Sequence, residues 1–188
     1  MKNLRNSLGL IVLLAAVFCS LSLAAEISVE DDFGNSLVLE QPAQRIISLA
    51  PNITEVLFHI GAGEQIVGAD EYSNYPEQAK QIMRVNNHAA ANYELILSLQ
   101  PDVVIAWQSG NGDKIINRIR QLGIPIFVIE TRSLEDIPNL FARFGALSGH
   151  VENAELKAQS FSLRLSLLRE QNSAKSEVRT FYQIWDEP

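Results

Sequence analysis

The chain is short of the residues that staple, ligate or clamp phosphate. Its single cysteine, Cys19, lies among the first twenty residues, so no disulfide framework can hold the rest together. The three histidines, His59, His88 and His150, are far apart and lack the H-x-x-x-H or H-E-x-x-H spacing of a zinc site. Basic residues are outnumbered, with 15 Lys and Arg against 22 Asp and Glu and a net charge of −7. That balance argues against nucleic-acid binding, which needs basic patches to meet phosphate. No Walker loop and no G-x-S-x-G elbow occurs. Gly61-Ala62-Gly63 starts like a dinucleotide fingerprint, but the sixth position is Ile66 and the run follows a helix pattern rather than a strand. It reads as a helix stop. Carboxylates are numerous without forming a recognisable acid/base pair.

One long apolar run is present, at the start. Lys2 and Arg5 precede an apolar stretch from Leu8 to Leu21, and Ser22-Leu23-Ala24 supplies the small residues of a cleavage site. Residues 1–24 are read as a secretory signal peptide. The stretch is shorter than the ~20 residues that span a bilayer, so no membrane insertion is expected after cleavage. Phe18 stands where a lipoprotein signal needs a small residue, which disfavours a lipid on Cys19. Loss of Lys2 and Arg5 takes the 15 basic residues to 13 against 22 acids, so the charge moves from −7 to −9. An acidic, cysteine-free exported protein is the expectation.

Beyond the signal, strands alternate with helices. Glu26 to Leu39 reads as two short strands around an Asp-Phe-Gly-Asn turn. Strand patterns follow at Arg45–Ala50, Gln65–Ala69, Asp102–Trp107 and Ile124–Ile129. Between them lie helix patterns: one after Pro51 with Asn52 and Glu55 at capping-box spacing, a short one over Pro76–Ile82, one capped by Asn92, one over Asp113–Gly123 after a loop at Gln108–Gly112, and one capped by Ser133. This order predicts an α/β fold with a parallel sheet flanked by helices over residues 26–150. Residues 151–172 contain no Gly or Pro and read as one long helix. Residues 178–188 then read as the first strand of a further, truncated lobe, which would leave half a cleft.

In open α/β sheets, ligands sit beyond the carboxyl ends of the strands. That rule selects Pro51, Tyr72, Trp107, Gln108, Ser109, Glu130 and Thr131. Tyr72 and Trp107 are aromatics in strand-end loops and offer flat apolar faces to a large planar ligand. Their other reading is as padding between loop and domain. His88 lies in a loop near the same mouth. His59 and His150 read as structural and solvent-facing.

RIISLAPNITEVLFHIGAG, QIVGADEYSNYP and NYELILSLQPDVVIAW, in that order, resemble the periplasmic substrate-binding proteins of iron-chelate and cobalamin ABC importers. The cobalamin-binding members look most similar. The resemblance covers the chain from about Asp31 onward. It implies the N-terminal lobe of a two-lobe periplasmic binding protein whose lobes are joined by one long helix. It also implies a periplasmic, non-enzymatic monomer that binds cobalamin or another corrinoid and delivers it to the membrane permease of an ABC importer. No resident cofactor is implied. In such proteins the first-strand proline, the tyrosine of the Y-S-x-Y-P loop and the tryptophan after the V-I-A strand line the corrin site; here these are Pro51, Tyr72 and Trp107. A further aromatic is expected before the N-x-E helix, and His88 stands there instead. Its imidazole would be either a cobalt ligand or a polar wall residue. Glu94 matches the carboxylate that docks the first lobe onto permease arginines, although a Glu in a first helical turn is favoured by the helix dipole in any case.

Two further readings stand beside this one. An iron-siderophore or haem binder of the same family would want Arg near the strand ends, where Arg132 is the nearest. A secreted α/β hydrolase would need Ser109 and His88 to converge.

Overall fold

The computed structural model describes residues 26–87 and 90–183. The signal over residues 1–24, His88 and residues 184–188 lie outside the described residues. The described chain opens with an antiparallel hairpin of β1 (Ile27–Glu30) and β2 (Ser36–Leu39), with Ile27 opposite Leu39. The Asp31 carboxylate closes its turn by accepting the Phe33 and Asn35 N–H groups, both at 2.9 Å, and Gly34 takes the left-handed backbone that the turn requires.

Five strands then form one parallel sheet: β3 (Ile46–Ser48), β4 (Ile66–Asp70), β5 (Arg84–Asn86), β6 (Val103–Trp107) and β7 (Ile126–Ile129). Their order across the sheet is β5-β4-β3-β6-β7. The helices are α1 (Pro51–His59), α2 (Tyr93–Ser98), α3 (Gln108–Gln121), α4 (Ile137–Ser148) and α5 (Val151–Asn172).

Strand alternation explains why both faces are covered. Along β6, Val103 and Ile105 join one core while Val104 and Ala106 join the other. The first core takes in Ile53 and Leu57 of α1, Phe141, Phe144 and Leu147 of α4, and Val29 of the hairpin. The second takes in Ile96 of α2 and Ile115, Ile116 and Ile119 of α3. β6 and β7 are buried on both sides and read in sequence as the near-continuous apolar runs that a central parallel strand needs. This is the α/β fold expected from the sequence.

Several local features differ from the expectations. β5 falls inside a stretch read as a loop; it is three residues long and gains its order from pairing with β4, with Ala69 beside Arg84 and Asp70 beside Asn86. Asn52 does not cap α1. The helix begins at Pro51, whose fixed φ and missing N–H suit a first helical position, and Ala50 is the N-cap. Gln108–Gly112, expected as a loop, is mostly helical, with a break at Gly112, where φ is 69°. The helix expected over Pro76–Ile82 is a tighter 3-10 turn at Glu77–Gln81. Asn92 does cap α2, accepting the Leu95 N–H at 3.0 Å, and Ser133 forms a reciprocal capping box with Asp136.

α5 crosses α4 at close range. A Cβ on Gly145 would lie 2.4 Å from the Ala154 Cβ. The Asn153 amide donates to the Ile60 carbonyl at 2.6 Å, and Phe161 meets Phe141 edge-on at 6.1 Å. Further along, Arg169 pairs with Glu135, while Leu156, Leu163, Leu167 and Leu168 are exposed. Over residues 178–183, where the sequence suggests the start of a new strand, no strand pairing is present and Val178, Phe181 and Tyr182 are more than four-fifths exposed. A strand takes its order from a neighbour's ladder, and none of the described strands borders this segment. No helix among the described residues is long and apolar enough to cross a membrane.

Candidate functional site

The sheet order reverses at β3. From there the chain steps outward through β4 to β5, then returns to β6 on the other side of β3 and continues to β7. The carboxyl ends of β3 and β6 therefore border the crevice where open α/β sheets place ligands. Pro51 follows β3, Tyr72 follows β4, and Trp107 closes β6 with Gln108 and Ser109 directly after it. The topology thus brings five of the predicted site residues to one end of the sheet, with Pro51 just after β3, the middle strand of the three. Glu94 is exposed in the first turn of α2, which follows the edge strand β5 in the chain.

The floor beneath these residues is polar and hydrogen-bonded. Ser48 and Thr54 are fully buried and Ser73 nearly so. The Thr54 hydroxyl donates to Ser48 Oγ at 2.7 Å, and Ser48 donates to the Ala50 carbonyl at 3.0 Å. Ser73 then donates to Thr54 at 2.9 Å. This relay fastens the loop after β4 to the first turn of α1 and to the end of β3. Beside it, Asp70 accepts the Tyr72 N–H at 2.8 Å and the Asn86 amide at 3.2 Å. Burial pushes the Asp70 carboxyl above its ordinary range, opposed by the Tyr72 N–H and the Arg84 charge. Asn86 also donates to the Leu49 carbonyl at 3.3 Å, and Asn111 donates to the same oxygen at 2.8 Å from the other side.

The aromatics sit above this floor. Tyr72 is 53% exposed, held at its backbone by Asp70. Trp107 is half-buried, and its ring lies against Gly110: a Cβ there would come within 2.3 Å of Trp107 Cε3. The Trp107 N–H donates to Asn111 Oδ1 at 2.8 Å. Gln108 is engaged by Asp113 at 2.7 Å. Ser109 donates to Glu130 from its N–H at 3.0 Å and from its hydroxyl at 2.6 Å.

These contacts bear on the chemistry available. Ser109 Oγ faces a carboxylate. His59 packs on Phe141 with ring centroids 5.6 Å apart, and His150 faces the Ser148 carbonyl. Among the described residues no imidazole reaches Ser109, so the serine–histidine pair of a hydrolase is not assembled there. No group of three or more His, Cys, Asp or Glu able to hold a metal occurs among the described residues. His88, the sequence candidate for cobalt, lies outside them.

A groove of about 970 Å³ runs elsewhere, between the C-terminal end of α1 and the segment after the Tyr72 loop. Phe58, His59, Tyr75, Ile82, Met83 and Leu99 line it, together with acidic Glu55 and Glu64. It contains none of Pro51, Tyr72 and Trp107. The sequence pointed to the aromatics of the crevice through position alone. It did not point to Asp70, Asn86 or Asn111, whose role rests on contacts across as many as 62 residues.

Residues 46–187 match the model of a family described as periplasmic binding protein. Over 147 residues the chain is 40% identical to a Vitamin B12-binding protein of Vibrio cholerae, covering 78% of this chain and 53% of that protein. A Vitamin B12-binding protein of Vibrio campbellii is 38% identical over 156 residues, covering 83% and 57%. The chain spans about half the length of the curated relatives it matches. Among solved structures it is similar to the periplasmic vitamin B12 binding protein of Vibrio cholerae, with a TM-score of 0.74 at 40% identity over 78% of this chain and 58% of that one. It is also similar to a periplasmic heme-binding protein of Roseiflexus, with a TM-score of 0.64 at 26% identity over 72% and 52%.

Proposed function

The chain belongs to the periplasmic binding protein family, and from that premise we propose that it captures cobalamin or a related corrinoid outside the inner membrane and passes it to an ABC importer. The observation that carries this reading is a half-exposed Tyr72 after β4 and a Trp107 seated on Gly110 at the end of β6, the two strands that flank β3. Two flat apolar faces over a largely hydrogen-bonded polar floor, in which only the Asn86 Oδ1 is buried without a partner among the described residues, suit a broad, nearly neutral macrocycle: stacking supplies the affinity. Pro51 between them adds a rigid apolar contact without an N–H to leave unpaired. The names of the Vibrio relatives support the same ligand class.

The protein's task in this reading is binding and delivery. Export through the signal at residues 1–24 puts it in the periplasm, as a monomer that meets the permease through Glu94. That side chain is exposed to solvent in the first turn of α2, open to an arginine of a partner. Its place in the first turn of α2 also satisfies the helix dipole, so one carboxylate serves both purposes.

Haem is the second ligand to weigh, because the likeness to the heme-binding protein of Roseiflexus extends to sequence. A haem binder must meet two propionates. Arg143 is committed to Asp32 at 2.7 Å, which leaves the exposed Arg132 as the nearest arginine for two propionates. Calorimetric titration of the mature protein with cyanocobalamin, cobinamide, haem and a ferric siderophore tests the choice. Binding of the corrinoids with haem and siderophore silent is expected. A null result with both corrinoids rejects the proposal.

A further inference from the structure

The turn that follows β6 is held from two directions, and only one hold belongs to the floor of the crevice. Asn111 ties the turn inward, accepting the Trp107 N–H and donating to the Leu49 carbonyl. Two residues earlier, Ser109 is tied outward to Glu130 through both carboxylate oxygens, at 3.0 Å from its N–H and 2.6 Å from its hydroxyl. Gly110 lies between these two fixed points, and its Cα surface is the seat of the Trp107 ring.

Glu130 is itself held. It follows β7, and its N–H donates to Asp32 Oδ2 at 2.6 Å. The other Asp32 oxygen pairs with Arg143 of α4 at 2.7 Å, with the two side chains 24% and 13% exposed. The Asp32 N–H donates to the Val128 carbonyl at 3.1 Å. The Arg143 guanidinium lies over the Phe127 ring, 5.5 Å from its centroid. The N-terminal hairpin, β7 and α4 therefore converge on the residue that grips Ser109.

We propose that Glu130 is a positioning residue for ligand binding. By fixing Ser109 it sets the height of the Gly110 seat, and so the angle at which Trp107 presents its indole across the crevice. This inference rests on the proposed binding role for Trp107. The competing account is a helix cap and nothing more. α3 has no side-chain cap from its own N-cap residue, Trp107, and a carboxylate on its first N–H groups stabilises it wherever the ring points. The two accounts differ in what Trp107 feels.

The chain has two tryptophans, Trp107 and Trp185. In a Trp185→Phe background, indole fluorescence reports on Trp107 alone. Glu130→Ala is expected to shift the emission maximum and to change acrylamide quenching, and to weaken cyanocobalamin binding about tenfold, the scale of losing a charge-assisted bond. Glu130→Gln keeps a single acceptor oxygen and is expected to fall between the two. Ser109→Ala, which removes the hydroxyl bond and leaves the N–H bond, is expected to shift the emission less than Glu130→Ala. Emission and quenching identical to the parent in both Glu130 variants, with only the melting temperature lowered, overturn the proposal and leave the cap. If Glu130→Ala fails to fold, the Glu130→Gln comparison decides alone. If the parent binds no corrinoid, the proposed ligand is wrong, while the fluorescence still decides whether Glu130 sets the ring.

Discussion

Gly110 and Trp107 occupy a space that one methyl group would fill, since a side chain at Gly110 would begin 2.3 Å from Cε3 and 2.8 Å from Cζ3 of the indole. Neither residue can be understood alone: the ring is flat against the turn because the turn has nothing there.

Gly110→Ala therefore must move either the indole or the backbone. The ring is the softer of the two, because Ser109 and Asn111 pin the turn. The expected outcome is a folded protein with ligand affinity lowered about tenfold, within the 1–3 kcal/mol cost of overpacking a filled site. Titration with cyanocobalamin checks it, and unchanged affinity contradicts it.

Glu94→Ala separates capture from delivery. Glu94 is exposed and takes part in none of the hydrogen bonds described for the crevice floor, so corrinoid affinity is expected to stay as in the parent. Uptake by cells that depend on the importer is expected to fall. Normal uptake would show that this carboxylate serves only its helix.

Asp70 gives a pH signature. Burial raises its folded-state value, so folding favours the protonated form. Relative to an Asp70→Asn variant, the stability that Asp70 lends is fully present below its unfolded value of about 3.9. It is lost as pH rises through the higher folded-state value. Glu71 reinforces the upward shift, and Arg84 with the Tyr72 N–H opposes it. Melting temperatures of the two proteins across the acid range should diverge in that direction. A constant gap contradicts the assignment.

Gly145→Ala tests the helix crossing. Its methyl would meet the Ala154 Cβ at 2.4 Å, and both residues are buried with backbone close behind. The expected loss is about 1–3 kcal/mol, as for an overfilled core. The crevice lies at the far ends of the strands, so ligand affinity should change little at temperatures where the protein is folded. Thermal melts and titration together check both statements.

Much of this architecture could be read from residue order. The apolar runs of β3, β6 and β7 and the caps at Asn92 and Ser133 announce their elements, and the strand-end rule led to Pro51, Tyr72 and Trp107. What stayed hidden depends on contacts remote in sequence. β5 is Arg84-Val85-Asn86, too short and too polar to signal a strand until β4 lies beside it. Gly110 and Gly112 suggested a loop, but Glu130, twenty-one residues on from Ser109, satisfies the helix start instead. Asn86 and Asn111 look like ordinary loop amides until Leu49 brings them together. The motifs imply a ligand class; the packing beneath them depends on contacts that residue order does not carry.

The shared acceptor at Leu49 has a consequence of its own. A carbonyl oxygen has two lone pairs, and here one serves the β5 side of the crevice and the other the β6 side. The two sides thus share one acceptor atom, and a retreat of the Asn86 amide would leave a buried donor with one bond fewer. A substitution at either asparagine is therefore felt on both sides of β3, whereas one at Tyr72 or Trp107 alters the rim alone.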